Sequence, residues 1–123
     1  IPQIMDIVTG HDQVDAVIFL GIGIQSNQAR LMREGSFYPD FGLERIVQYH
    51  NRQDERYANA AHEASQKYLK PVLIATELAV ADPSNPGPAT VRDTGRLCYA
   101  SGSRAAYALA QMVKYSNYRA SVS

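Results

Sequence analysis

The order of apolar and polar positions divides the chain into alternating helices and strands. Apolar residues at positions 1, 4, 5 and 8 recur at helical spacing and predict a first helix that ends at Gly10. The run Asp15–Leu20 is apolar without alternation, which is typical of a strand buried on both faces. Val72–Thr76 follows Pro71 as a second buried strand, and Arg96–Ala100 is a third.

The segments between these strands carry helical patterns. Positions 26–34 predict a short helix, residues 35–42 an aromatic loop, and positions 88–95 a helix that opens with Pro88. Residues 43–70 lack Gly and Pro, and they form one long helix or two that meet near Asn51. Ser101 or Ser103 caps a last helix that runs to about Tyr118. The inward positions of the long helix are Leu43, Val47, His50, Asp54, Tyr57, Ala61, Ala64 and Tyr68, and those of the last helix are Ala105, Ala106, Leu109, Met112 and Val113.

This alternation predicts an α/β domain with a small parallel sheet, helices on both faces in three layers, and right-handed crossovers. Ligands of open α/β sheets bind beyond the carboxyl ends of the strands. Three loops lie at that edge, and these are residues 21–25, 77–83 and 101–103. Candidate binding residues are therefore sought there first.

Composition narrows the function. The chain has 123 residues, enough for one core, and its 12 basic and 12 acidic residues argue against a nucleic-acid partner. The longest apolar run, residues 16–20, is too short to span a membrane, and no signal peptide is visible. Cys98 is the only cysteine, so we expect an inert core thiol and a reducing, cytoplasmic location.

The turn Gly21-Ile22-Gly23 is the best candidate for chemistry. Glycines let a backbone approach a phosphate or carboxylate, and the next helix begins close by at Ser26. The alternative is a tight strand-to-helix turn with no ligand. Glu77, after the second strand, accepts hydrogen bonds from a ligand or braces a loop. No metal site is expected, because the fourth position after His62 is Gln66 rather than a second histidine.

Four segments of the chain occur in the order found in a known family. They are DAVIFLGIG at 15–23, KPVLIATE at 70–77, TGRLCYAS at 94–101 and RAAYALAQMVKY at 104–115. With them the chain resembles the C-terminal part of the flavodoxin-like ligase domain of acyl-CoA synthetases that form a nucleoside diphosphate, a group that includes ADP-forming acetyl-CoA synthetase and succinyl-CoA synthetase. The similarity covers residues 1–119, and residues 120–123 resemble the start of a linker.

The resemblance implies a reaction and a site. Acyl-CoA, phosphate and ADP interconvert with the free acid, CoA and ATP, through acyl phosphate and phosphohistidine. This part would form a wall of the acyl or phosphate site without a catalytic residue of its own. Gly21, Ile22 and Gly23 align with the last three positions of a family Gly-Gly-Ile-Val loop, with Gly23 in place of valine. Glu77 aligns with the glutamate of an Arg-Leu-Glu-Gly segment, whose arginine is Ala75 here.

The family's first strand–helix unit has no counterpart before Ile1, so the resemblance implies a fragment that is inactive alone. It implies partner domains that bind CoA, carry the phosphohistidine and form an ATP-grasp, and these would hold CoA, ATP or ADP, and Mg²⁺. We expect the chain to associate with other chains through a free sheet edge or the aromatic loop. We do not expect it to bind a membrane or a nucleic acid. The alternative function is a non-catalytic synthetase-like domain for regulation or interaction, as in fusions to lysine acetyltransferases; a free-standing ligand binder is a third.

Overall fold

A computed structural model describes residues 1–122 as six helices and three strands. The order predicted from the sequence is confirmed, with one additional short helix. In chain order the elements are α1 (Pro2–Gly10), β1 (Val17–Leu20), α2 (Ile24–Arg33), α3 (Leu43–Tyr68), β2 (Val72–Ala75), α4 (Leu78–Ala81), α5 (Pro86–Asp93), β3 (Cys98–Tyr99) and α6 (Gly102–Val122).

The three strands form one open parallel sheet with β2 in the centre. Val17 pairs with Val72 and Leu20 with Ala75, while Ile74 pairs with Cys98. The α/β class and the parallel sheet are therefore confirmed. Only β2 is buried along its whole length. The expectation that β1 is buried on both faces is wrong, because β1 is an edge strand and Leu20 is 62% exposed.

Side chains alternate between the two faces of the sheet, and different helices cover each face. One face, here the α3 face, presents Val17, Phe19, Val72, Ile74 and Cys98 to a core completed by α1, α3 and α5. The opposite face, the α6 face, presents Ile18, Leu73, Ala75 and Tyr99 to the first turns of α6.

The long segment 43–68 is one uninterrupted helix, so the alternative of two helices is excluded. All its predicted inward positions are buried or half-buried, because α3 contacts α1, α2 and α5 as well as β2. Two of its polar side chains are hydrogen-bonded there: Tyr68 donates to the Asp6 carboxylate over 2.9 Å, and Ser65 donates to the carbonyl of Lys70 over 2.7 Å.

Two predicted apolar faces are largely open. In α1 only Met5 and Thr9 are buried, because α1 meets α3 along one narrow line. In α6 only Ala105 is buried, since only its first turns cross the sheet; Ala106 and Val113 are exposed. The last helix continues through residues 120–122, the segment assigned to the start of a linker, and residue 123 lies outside the described residues.

Loop 77–85 contains a short helix, α4, that the sequence pattern did not indicate. The helix predicted to open at Pro88 begins two residues earlier. Asn85 caps it, with its side-chain oxygen accepting from the backbone N–H of Gly87 over 2.8 Å, and Pro86 takes the first helical position. Ser101 rather than Ser103 caps α6, because its hydroxyl accepts from the N–H of Arg104 over 3.2 Å.

Candidate functional site

A cleft of about 440 Å³ opens where the carboxyl ends of the three strands meet. It brings together the three loops that topology selected. Gly21 comes from the end of β1, Glu77 from the end of β2, and Ser101 from the end of β3. The other lining residues are Leu20, Ile24, Asn27, Ala75, Thr76, Leu78, Ala81, Ala100 and Gly102.

Gly21 makes the sharp turn that closes β1. Its φ of +86° lies in the left-handed region, which glycine adopts without a steric cost. Its N–H donates to the carbonyl of Ala75 over 3.0 Å and so extends the ladder by one rung. This N–H is therefore engaged by the sheet, and Gly21 borders the cleft through its bare Cα.

The two following residues of the turn lie beneath the cleft rather than in it. Ile22 is 1% exposed and belongs to the core on the α3 face. Gly23 is also buried, with a φ of +93°. It packs so closely on Gly87 that a Cβ added to Gly87 would lie 2.8 Å from the backbone N of Gly23. Of the four predicted binding residues, Gly21 and Glu77 meet at the cleft, whereas Ile22 and Gly23 support the turn.

Two backbone amide groups at the start of α2 donate to a side chain of the same chain. The carboxylate of Asp54, on α3, accepts from the N–H of Gly23 over 3.0 Å and from the N–H of Ser26 over 2.6 Å. Asp54 is 1% exposed. A helix N-terminus favours an anion, and here the chain supplies that anion itself.

Asn85 completes the support of the glycine turn. Its side-chain amide donates to the carbonyl of Gly23 over 3.1 Å, while its oxygen caps α5. One buried side chain thus joins the glycine turn to the start of α5. Asp54 and Asn85 together fix the turn from below and leave Gly21 as its upper surface.

The lining of the cleft is mostly apolar, with one carboxylate and the uncharged polar side chains of Asn27, Thr76 and Ser101. Glu77 is exposed at its rim, and none of the described residues that line the cleft is basic. The hydroxyl of Thr76 accepts a hydrogen bond from the backbone N–H of Leu78, and the hydroxyl of Ser101 accepts one from the N–H of Arg104. This lining suits an uncharged apolar group with a hydrogen-bond donor at one end, and it offers no counter-charge for a phosphate.

Sequence reasoning did not single out Asp54 and Asn85 as part of this site. A signal for Asp54 was present, because it is a carboxylate on the inward stripe of a long helix, where an ionised group needs partners. Asn85 gave no comparable signal, since it lies among Asp, Pro and Ser residues typical of any loop.

The other candidate side chains lie outside the cleft. His62 Nδ1 accepts from Nε of Arg96 over 2.9 Å, and Cys98 is half-buried in β3. Burial raises the pKa of the Cys98 thiol, which lowers its thiolate fraction near neutral pH. Within residues 1–122, no three His, Cys, Asp or Glu side chains gather closely enough to hold a metal ion.

The aromatic loop is an exposed feature at a different place on the surface. Phe37 is 66% exposed and Phe41 82% exposed, and their rings meet edge to face with centroids 5.7 Å apart. The two rings thus cover each other rather than the core of the domain. Exposed aromatic pairs of this kind are typical of contact surfaces.

None of the described helices has the combination of length and apolar character needed to cross a membrane. Comparison with known proteins found no matching family model, no matching curated protein and no matching solved structure. The geometry of the cleft and the sequence resemblance therefore carry the functional argument.

Proposed function

We propose that this domain forms the acyl-facing wall of the substrate site in an acyl-CoA synthetase of the type that forms a nucleoside diphosphate. The observation that carries the proposal is the meeting of Gly21 and Glu77 at one cleft. These are two of the positions that align with substrate-facing segments of that family. They are 56 residues apart in the chain, and the parallel sheet brings them to one edge.

The lining of the cleft favours the acyl part of the substrate over its phosphate. Leu20, Ile24 and Leu78 supply apolar contact, and Gly21 allows a close approach of the ligand to the backbone. Glu77 would repel a phosphate, but it can accept a hydrogen bond from an amide N–H such as those of the pantetheine arm of CoA. We assign the acyl group and its thioester to this wall, and the charged groups to partner domains.

The proposed fold is correspondingly part of a flavodoxin-like domain. In the full assembly, separate CoA-binding, phosphohistidine and ATP-grasp domains would supply CoA, ATP or ADP, and Mg²⁺. The free side of β1 and the exposed Phe37–Phe41 pair are the surfaces proposed for assembly. The domain alone would not catalyse the reaction, because the phosphohistidine would belong to another domain and the cleft offers no counter-charge for phosphate.

To test this proposal, the ¹⁵N-labelled chain is titrated with neutral thioesters, and its amide signals are monitored by NMR. Acetyl, butyryl and hexanoyl thioesters of N-acetylcysteamine carry the acyl group and the end of the pantetheine arm without a charge. We expect shift changes at Gly21, Ile24, Glu77 and Ser101 that grow with acyl length, because each added CH₂ buried contributes about 0.8 kcal/mol. Inorganic phosphate and ADP are expected to leave these four signals in place.

A matched pair of variants separates cleft binding from general surface contact. Ala81→Phe places a ring in the cleft and should abolish the shift changes, whereas Ala110→Phe adds the same ring to an exposed turn of α6 and should not. The proposal is wrong if the thioesters leave the Gly21 and Glu77 signals unmoved, or if phosphate moves them as strongly as the hexanoyl thioester does.

One contact favours a second candidate, a non-catalytic synthetase-like domain that serves regulation or interaction. Asp54 fills the anion position at the start of α2, so the glycine turn is stable without any ligand. A domain that kept the turn for its structure alone would have this contact and an empty cleft. Failure of the thioester titration, with the fold intact, would select this candidate.

A further inference from the structure

The second half of α6 extends beyond the sheet. Residues 110–122 are all exposed, although they form one helix with the buried first turns. At about 1.5 Å per residue, this half is roughly 20 Å long. Helices this short are marginal in water without tertiary contacts. A contact that covers it would therefore add stability that the helix lacks alone.

The composition of α6 indicates what kind of surface would cover it. The helix holds three basic residues, Arg104, Lys114 and Arg119, and no acidic one, whereas the whole chain has 12 of each. No acid within α6 can therefore pair with Lys114 or Arg119, and neither has an ion pair within the described residues. The charge of this helix is complementary to an acidic surface.

Aromatic side chains lie beside Lys114 on one side of the helix, and Arg119 lies beyond Tyr115 at the edge of that side. Tyr107, Lys114 and Tyr118 are spaced by seven and four residues and share a face with Tyr115 at its border. The three tyrosines are 62–69% exposed. Tyrosine and arginine are enriched at the centres of protein–protein contacts, and this segment exposes Tyr115, Tyr118 and Arg119.

We propose that the second half of α6 docks an acidic protein surface that places carboxylates against Lys114 and Arg119 and apolar groups against Tyr115 and Tyr118. The two positive charges of this segment are few for a nucleic acid, whose binding depends on many phosphate contacts, and few for a membrane, where each basic residue adds about 1 kcal/mol. The inference concerns a surface remote from the cleft and does not depend on the proposed function.

The test uses two dye-labelled helical peptides of about 18 residues that differ only in charge. One alternates Glu with Leu and Ala at helical spacing, and the other has Lys in place of every Glu. Fluorescence anisotropy with the full chain should show the acidic peptide bound at least about tenfold more tightly than the basic one, with affinity falling as salt is added. In a ¹⁵N spectrum, the acidic peptide should move signals of residues 107–119.

The control is a pair of charge reversals. Lys114→Glu with Arg119→Glu should lower the affinity for the acidic peptide about tenfold. The milder pair Lys114→Ala with Arg119→Ala should lower this affinity less. Arg45→Glu with Arg52→Glu, which makes the same net change on exposed positions of α3, should leave it unaffected.

Four results would overturn the proposal. The first is absence of binding by the acidic peptide, and the second is equal binding of both peptides. The third is tighter binding of phosphatidylserine vesicles or a single-stranded DNA 20-mer, which would indicate a membrane or nucleic-acid surface. The fourth is a dimer in sedimentation equilibrium that Lys114→Glu with Arg119→Glu dissolves, which would show that a second copy covers α6.

Discussion

The two faces of the sheet differ in how completely they are covered. On the α3 face, Val72 and Ile74 are each 2% exposed beneath α3, with α1 and α5 beside it. On the α6 face, Ala75 is 1% and Leu73 8% exposed, but Leu20 on the edge strand β1 is 62% exposed. The difference is largest at the edge of the sheet, and it comes from the number of helices that pack on each side.

The two faces therefore contribute differently to the stability of the domain. The α3 face contains the buried polar contacts that fix the glycine turn, and its core is contiguous. The α6 face is held by the first turns of one helix, whose remainder projects into solvent. We conclude that the α3 face carries most of the stability of the fold, and that most of α6 is left uncovered.

Alanine substitutions at neighbouring positions of β2 test this conclusion with the largest expected effect. Ile74→Ala should lower the free energy of unfolding by about 4 kcal/mol, and Leu73→Ala by about 2 kcal/mol, within the usual range for such core truncations. The reason is that the cavity at Ile74 is enclosed, whereas α6 can relax over the one at Leu73. Urea unfolding followed by circular dichroism measures both. Equal losses would refute the asymmetry.

Removing the carboxylate beneath the turn should have the next largest effect. Asp54→Ala leaves the buried N–H groups of Gly23 and Ser26 without their acceptor, and each charge-assisted bond is worth about 1.5 kcal/mol or more, so we expect a loss of about 3 kcal/mol. Glu55→Ala, the exposed neighbour on the same helix, should change stability by less than about 0.5 kcal/mol. The same urea titration compares them, and similar values would contradict the assigned role of Asp54.

The smallest effect is expected where α1 meets α3 at the surface. Hydrogen bonds from Lys67, over 3.0 Å, and from Tyr68 lower the pKa of the Asp6 carboxyl. A lowered pKa in the folded state stabilises the fold above the ordinary carboxyl pKa, and the benefit disappears as the pH falls through the lowered value. Asp6→Asn should therefore reduce the melting temperature slightly at pH 7 and not near pH 2. A reduction of equal size at both pH values would show that charge is not its cause.

Much of the fold could be predicted because its main helices and strands have clear hydrophobic patterns in the sequence. The run at Val72–Ala75 and the unbroken stripe of α3 are unambiguous, and the parallel sheet follows from their alternation with the other elements. Topology then places Gly21 and Glu77 at one edge before any side chain is considered. These inferences depend on periodicity and chain order, which the sequence displays directly.

Other features depend on contacts that periodicity does not display. The apolar stripe of α6 resembles that of a buried helix, yet Met112 is 45% exposed because the sheet is too narrow to reach it. Ile22 looks like a loop residue, but it turns into the core once Gly21 reverses the chain. The pairing of Asp54 with Gly23 joins positions 31 residues apart, and only the packing of α2 on α3 creates it.

Hydrogen exchange followed by mass spectrometry tests the central contrast most directly. We predict that amides in β2 and the middle of α3 exchange only through global unfolding, whereas those of residues 110–122 exchange through local opening and become labelled orders of magnitude sooner. Addition of the acidic peptide should slow exchange in residues 110–122 and leave β2 unchanged. Equal protection of α3 and the second half of α6 in the free chain would contradict the account.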